Sequence, residues 1–370
     1  MSRVLMLNYE FPPLGGGGGV AAKTIAKQLI AEGYEVDYVT SRYPGQRKHE
    51  LIDGIQVYRV RVGRRNKNTA SLHSMLAYPL AGFPQCIQLC RKNNYSVINS
   101  HFAIPTGPLG VAISKLFGIN HVVSIHGGDI HDPTKEFSPH KKWYLRKIVS
   151  WVINSADSVI AQSTDTKGNA LKYYDITPTQ QIKVEPFPYE PYEFEPVSRE
   201  ELGLEDDITY TISVGRLVKR KGYRYLIDAI AMLDENIEAL IVGEGPQRDE
   251  LEAYAAEQDV FDRVTFLGYV SEERKFQYLD CADVYVLSSM HEGFGIVIQE
   301  AMQVGLPIVA TDNGGQTDLI EQYEGGISVD TNNPSEIAAE INNQLSQPQS
   351  EYEPDFRTGF IGDYTKSLKQ

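Results

Sequence analysis

Cysteine is scarce in this sequence. Of 370 residues only Cys86, Cys90 and Cys281 are cysteine, too few and too unevenly spaced for a disulfide framework, which implies a reducing compartment. Cys86 and Cys90 stand four apart in a helical pattern, but no third and fourth ligand follows nearby, so buried thiols are expected rather than half a metal site. No apolar run reaches the roughly 18 residues of a membrane span, and the first residues enter a strand pattern without the regions of a signal peptide. The expectation is a soluble, cytoplasmic chain. No nucleic-acid module or aromatic-basic repeat accompanies the positive charge, which argues against nucleic acid as a partner.

What is present is an ordinary globular composition, 42% hydrophobic and 23% charged. The length exceeds what one core usually serves and predicts two domains. Charge divides them: residues 1–190 carry 22 Lys and Arg against 14 Asp and Glu, net +8, and the remainder carries 13 against 35, net −22. Between the halves, IKVEPFPYEPYEFEPV (182–197) is rich in proline and acid, disfavours helix and strand interiors, and reads as a linker. The expected domains are 1–190 and 191–354.

Strand and helix patterns alternate through both halves. Strands are expected near 3–8, 35–40, 56–62, 96–100, 121–125 and 158–161, then near 208–215, in a stretch ending at Val242, and near 264–270, 284–287, 307–310 and 326–329. Such alternation predicts an α/β fold with parallel sheets covered on both faces, binding ligands beyond the carboxyl ends of the strands. Four strand-end segments attract attention. Tyr9 to Gly19, YEFPPLGGGGG, puts side-chain-free backbone, Gly18 and Gly19 included, ahead of a helix expected at 20–32. It is neither a dinucleotide fingerprint nor a P-loop, since Ala22 stands where the latter needs glycine, and a flexible linker would be out of place there. His126 closes the strand at 121–125. Asp129, His131 and Asp132 follow it at a spacing that fits no common metal site. In GRLVKRKG, 215–222, Arg216 as a planar fork and Lys221 as a point charge can reach one diphosphate, with Lys219 and Arg220 as spares.

The richest segment is EGFGIVIQE, 292–300. Gly293 and Gly295 let a ligand approach the backbone, and the first-turn amides of a helix opening at Ile296 after Phe294 face an anion with the helix dipole behind them. Glu292 and Glu300 bracket that start, and carboxylates accept strong hydrogen bonds from vicinal hydroxyls. A ligand with hydroxyls at both ends and a phosphate between them, such as a sugar nucleotide, fits.

This segment resembles the E-x7-E signature of the retaining family-4 glycosyltransferases. The resemblance extends to P-P-x-x-G-G near the start, the histidine at 126 and G-R-x-x-x-x-K-G at 215–222, and so covers nearly the whole chain. It implies a GT-B fold of two facing Rossmann-like domains, with a helix at 355–369 returning to the first. It implies transfer of a hexose from a UDP- or GDP-sugar to an acceptor hydroxyl or lipid-linked phosphate with retention. By the same resemblance Glu292 and His126 contact the transferred sugar and Glu300 the ribose. Arg216 and Lys221 neutralise the leaving diphosphate, Gly18 and Gly19 lie near phosphate and acceptor, and Gly243, Tyr269 and Val270 lie near the base. The absence of an Asp-x-Asp sequence, found in metal-dependent glycosyltransferases, implies catalysis without metal or cofactor beyond the donor itself. Pro186–Glu190 reads PFPYE where the family commonly has a sequence close to P-N-G-V-D. A sugar-nucleotide epimerase of the same fold and a non-catalytic partner protein remain as alternative readings.

Two basic patches lie in the first half: Arg59, Arg61, Arg64, Arg65 and Lys67, and a helix carrying Lys141, Lys142, Arg146 and Lys147 with Trp143, Tyr144, Leu145, Ile148, Val149 and Trp151. Two readings stay open for that helix. It lies on an anionic membrane as an interfacial element, on the side of a lipid-linked acceptor, or it packs its aromatic face on the sheet and leaves a basic face in solvent.

Overall fold

The computed structural model describes residues 2–65, 70–323 and 325–346. Lys67 and the helix expected at 355–369 lie outside the described residues. The chain divides into two units between Glu190 and Pro191.

The first unit is built on eight strands: β1 (Arg3–Leu7), β2 (Glu35–Arg42), β3 (His49–Ile52), β4 (Ile55–Arg61), β5 (Val97–His101), β6 (Asn120–Ile125), β7 (Ser158–Ala161) and β8 (Ile182–Val184). Their order in the sheet is β3-β4-β2-β1-β5-β6-β7-β8, all parallel except the β3–β4 pair. Central strands such as β1, RVLML, are apolar almost throughout because helices cover both faces. Leu5, Leu7, Val39, Ile98 and Ile113 fill one core cluster, and Val123, Ile125, Val149, Val152 and Val159 another. Each such side chain contributes about 1.5–3 kcal/mol by its burial.

The second unit carries six parallel strands: β9 (Thr209–Val214), β10 (Ile237–Val242), β11 (Val264–Gly268), β12 (Val284–Leu287), β13 (Ile308–Thr311) and β14 (Gly326–Val329), ordered β11-β10-β9-β12-β13-β14. Its core joins Leu226 and Ile230 of the helix Tyr223–Ala231 to Ile337 and Ile341 of the helix Pro334–Ser346.

Strand order reverses direction between β1 and β5 in the first sheet and between β9 and β12 in the second. At such a switch point the flanking connections leave on opposite faces and open a crevice beyond the strand ends. The loops after β1, β5 and β6, and those after β9 and β12, are therefore the positions to inspect.

Three elements depart from the sequence expectation. Strand β3 was not foreseen; it forms a hairpin with β4 through Asp53-Gly54, both at positive φ, 49° and 79°, the conformation a two-residue hairpin turn requires. Strand β8 lies in the expected linker, as a three-residue edge strand paired with β7. The first helix starts at Gly17, not Val20, so three of the five glycines form its first turn. The rest of the linker is irregular but docked: Tyr192 stacks on Phe276 and exchanges hydrogen bonds with Gln303, while the Glu195 amide donates to Glu273.

Candidate active site

In the second unit the loop after β9 is laced to the loop after β12. The Met290 amide donates to the Arg220 carbonyl at 2.8 Å, the Ser288 hydroxyl to the Lys221 carbonyl at 3.2 Å, and the Arg220 guanidinium to the His291 carbonyl at 2.6 Å. Gly222, at φ +65°, lies so close to the Ser288 carbonyl that a Cβ would sit 2.1 Å from its oxygen. Lacing brings Lys221 Nζ to 2.5 Å from Glu292 Oε2 and the Arg220 guanidinium to 3.3 Å from Oε1. Burial alone would raise the Glu292 pKa. The two cations outweigh it and hold the carboxyl well below its usual range, so Glu292 is ionised. These three side chains are only 11–25% exposed, so removing one partner leaves a poorly hydrated charge unpaired.

Behind Glu292, Gly295 stands at the N-cap of the helix Ile296–Gln303 in the left-handed region, and first-turn amides of a helix lack intrahelical partners. The Gly293 amide donates to Glu292 Oε1 at 3.2 Å, and Phe294 is buried. Glu300, one turn further, receives the Lys275 ammonium at 2.8 Å. Arg216 is exposed at the rim of the same loop. Gly243, at φ +136°, would place a Cβ 2.0 Å from the Gly215 carbonyl oxygen, and its amide donates to Gly268 at 2.8 Å. It acts as a spacer between strand ends, and its amide is already engaged. Tyr269 is 77% exposed just beyond β11, with Val270 half-buried beside it.

The first unit assembles a different kind of site. His126, after β6, is buried with its ring stacked on Phe102 at a centroid distance of 4.2 Å and near Phe187 at 4.8 Å. Its Nε2 shares a hydrogen bond with Nδ1 of His101, at the end of β5, at 3.0 Å. His126 Nδ1 and His101 Nε2 are buried without a partner. Burial pushes both imidazoles down, His101 to about 3, so both are neutral. Gly18 closes on this pair: a Cβ there would meet Phe102 at 2.4 Å and His126 Nδ1 at 3.2 Å. Its neighbour Gly19 packs on Glu10 and Leu14. Asp129 spends its carboxylate on the amides of His126, at 2.8 Å, and Ala103, at 2.5 Å. Burial nevertheless raises its pKa to about 6.

The basic patch at 59–67 needs correcting. Arg64 is 2% exposed, directed at the Tyr9 carbonyl and Glu10, and Arg59 is buried against Glu50. Both guanidinium groups are buried and each pairs with a carboxylate, Glu50 or Glu10, so neither offers its charge to a surface; Arg65 is exposed. In the other patch the helix runs Trp143–Ser155, with Lys141 in a preceding 3-10 turn and Lys142 at its cap. Trp143 is 76% exposed, and Tyr144, Ile148 and Trp151 are also exposed, beside exposed Arg146 and Lys147. The aromatic face does not pack on the sheet.

Sequence reasoning missed His101, Glu10 and Lys275, and it ranked Arg220 as a spare although Arg220 touches Glu292. A histidine ending a central strand was a usable signal for His101. Nothing in the order of residues joins Lys275 to Glu300.

Comparison with known proteins covers the chain in two pieces. The family model for Glycosyltransferase Family 4 matches residues 15–186, and that for Glycosyl transferases group 1 matches residues 194–357. An uncharacterized glycosyltransferase of Methanocaldococcus jannaschii is 31% identical over 363 residues, spanning 93% of this chain and 89% of that protein. Among solved structures, sucrose-phosphate synthase from Thermosynechococcus elongatus aligns over 100% of this chain and 94% of its own, at 22% identity and a TM-score of 0.82. Anabaena HepE in complex with UDP and glucose aligns over 100% and 96%, at 20% identity and a TM-score of 0.72.

Proposed function

The chain belongs to the glycosyl transferases group 1, with a GT-B fold, and from that premise we propose that it is a retaining hexosyltransferase. Its donor is a UDP- or GDP-sugar, and its acceptor is a lipid-linked glycan or lipid at the cytoplasmic face of a membrane. The observation that carries the reading is the Lys221–Glu292–Arg220 cluster ahead of the helix Ile296–Gln303 at the switch point of the second sheet. In the reaction the bond from the anomeric carbon to the diphosphate oxygen breaks and a bond from that carbon to the acceptor oxygen forms. The acceptor proton passes to the departing diphosphate. Arg216, Lys221 and the first-turn amides stabilise the charge that develops on the leaving group, the kind of preorganised electrostatics that usually supplies the largest catalytic term. Glu292 accepts hydroxyls of the transferred sugar, and neutral His126 offers its unpartnered Nδ1 to the outer ones. Glu300 takes the ribose. Tyr269 offers an exposed ring for the base, and HepE, of the same fold, binds UDP and glucose.

Two observations support a membrane acceptor, in a chain where among the described residues no helix is long and apolar enough to cross a membrane. The helix Trp143–Ser155 presents tryptophans and cations together, an interfacial composition. Leu72, Leu76 and Leu80 are exposed at a four-residue spacing on the helix Leu72–Lys92. A donor screen that follows released UDP or GDP, with and without membrane lipid extract and with and without EDTA, tests the reading. Release that requires lipid and survives EDTA is the expected result. Turnover of the donor alone to a new sugar nucleotide favours an epimerase, and no release with any donor removes the enzymatic reading.

A further inference from the structure

Lys275 lies on the helix Glu272–Cys281, which separates β11 from β12, 25 residues before Glu300 in the sequence. It is 8% exposed, an unusual position for a lysine, whose charge is costly to bury without a partner. Its Nζ stands 2.8 Å from Glu300 Oε1 and 2.7 Å from Glu272 Oε2. Glu272 is largely exposed and Glu300 is not. The other oxygen of Glu300, Oε2, is buried and has no hydrogen-bond partner. A buried acceptor left unmatched in this way calls for a donor from a ligand. One oxygen of this carboxylate is therefore pinned and the other held open.

We propose that Lys275 is a positioning residue for Glu300: its ammonium fixes the carboxylate's rotamer and charge so that Oε2 meets the hydroxyls of the donor's ribose. The proposal rests on the nucleotide-sugar reading given above. The electrostatics agree. Burial raises the Glu300 pKa and Lys275 offsets it; Glu272 raises it further, Lys221 lowers it, and the Tyr285 hydroxyl on β12 also interacts with it. Without the ammonium, burial would dominate at Glu300 and the carboxyl would take up a proton at higher pH, and a protonated carboxyl is a weaker acceptor for two vicinal hydroxyls.

Calorimetric titration of the full chain with UDP and with its 2′,3′-dideoxy analogue tests this without turnover, with GDP and its analogue in parallel. Wild type should prefer the ribonucleotide. Lys275→Met should weaken the ribonucleotide about tenfold, erase most of that preference, and make affinity rise with pH across a range where wild type is flat. Lys275→Arg should restore the preference. In the Lys275→Met, Glu300→Gln double variant the loss should equal that of Glu300→Gln alone, because Lys275 acts only through Glu300. If Glu300→Gln weakens UDP and GDP but Lys275→Met, with a wild-type melting temperature, keeps the ribose preference, the lysine is a structural ion pair and this proposal is overturned. If Glu300→Gln itself leaves both nucleotides unaffected, the assignment of the ribose to Glu300 fails first. If Lys275→Met melts early, Lys275→Gln decides by the same preference ratio.

Discussion

The two switch points of this protein are built with opposite chemistry, and in each case opposite to the half that carries them. The first half is basic by +8, yet its strand ends gather two neutral imidazoles, aromatic rings, the half-buried Glu10 and the buried Asp129. The second half is acidic by −22, yet its strand ends gather Arg220 and Lys221 around one carboxylate, with Arg216 exposed on the same loop. Net charge describes the surface a unit shows to bulk partners, while a few residues fixed at strand ends set the charge a ligand meets. In the proposed reaction that division is useful, since a diphosphate needs cations and a sugar or lipid hydroxyl needs neutral hydrogen-bonding groups.

The sharpest way to break the comparison is to remove one member from each site. Lys221→Ala should lower kcat about a hundred- to a thousandfold, and Glu292→Ala should lower turnover much more than nucleotide affinity. His126→Ala should cost about tenfold, the scale of one neutral hydrogen bond. Steady-state kinetics that reverse this ranking would put the chemistry on the first unit. Backbone packing should differ as well. Gly314 is at φ +134° and a Cβ there would lie 2.0 Å from the Glu292 carbonyl oxygen, whereas nothing lies within 4 Å of a Cβ at Gly128 beside His126. Gly314→Ala should therefore destabilise by about 1–3 kcal/mol or more and Gly128→Ala by under about 0.5 kcal/mol, as measured by denaturant midpoints.

On surfaces the halves should separate in a salt-dependent way. With about 1 kcal/mol per basic residue near an anionic bilayer, changing Lys141, Lys142, Arg146 and Lys147 to Gln should abolish most sedimentation with anionic vesicles at low salt. Trp143→Ala with Trp151→Ala should weaken it less and leave its salt dependence intact. Equal binding by wild type and the Gln variant would make the helix a solvated face. The smallest effect is in pH. His101 and His126 have folded pKa values below the ordinary 6.5, so their stabilising contribution is complete above 6.5 and is lost as pH falls toward about 3. Asp129, raised from 3.8 to about 6, acts in the opposite sense and favours the native state as pH falls through that interval. Calorimetry should then find a shallower acid loss for His101→Gln and a steeper one for Asp129→Asn. Glu292, with its depressed pKa, should add nothing until pH falls below about 4.5.

Much of the fold was legible because buried parallel strands are written as apolar runs ending in glycine-rich loops. The hairpin of β3 and β4 was legible too, in Asp53-Gly54 between two strand patterns, but His49–Ile52 alternates too weakly to be noticed alone. The glycines at 17–19 read as loop because helix propensity disfavours them; close approach to Phe102 and His126 overrides propensity. Arg59 and Arg64 read as surface charge because sequence shows the sign of a residue and not the carboxylate that pulls it inside. Lys275 could not be read at all, since its role depends on two helices meeting.

The linker strap has a consequence for where the second unit truly begins. Tyr192 and Phe194 stack on Phe276, the neighbour of Lys275, and Tyr192 grips Gln303, three residues beyond Glu300. A stretch without helix or strand thus belongs to the folded body as fully as any element, bracing the two helices that hold the carboxylate. An excised second domain starting at Ser198 would keep every strand and every motif yet lose that brace, and one starting at Pro191 would retain it. Seven residues with no regular structure separate the two fragments, and only the longer one is expected to keep the carboxylate braced for the proposed nucleotide.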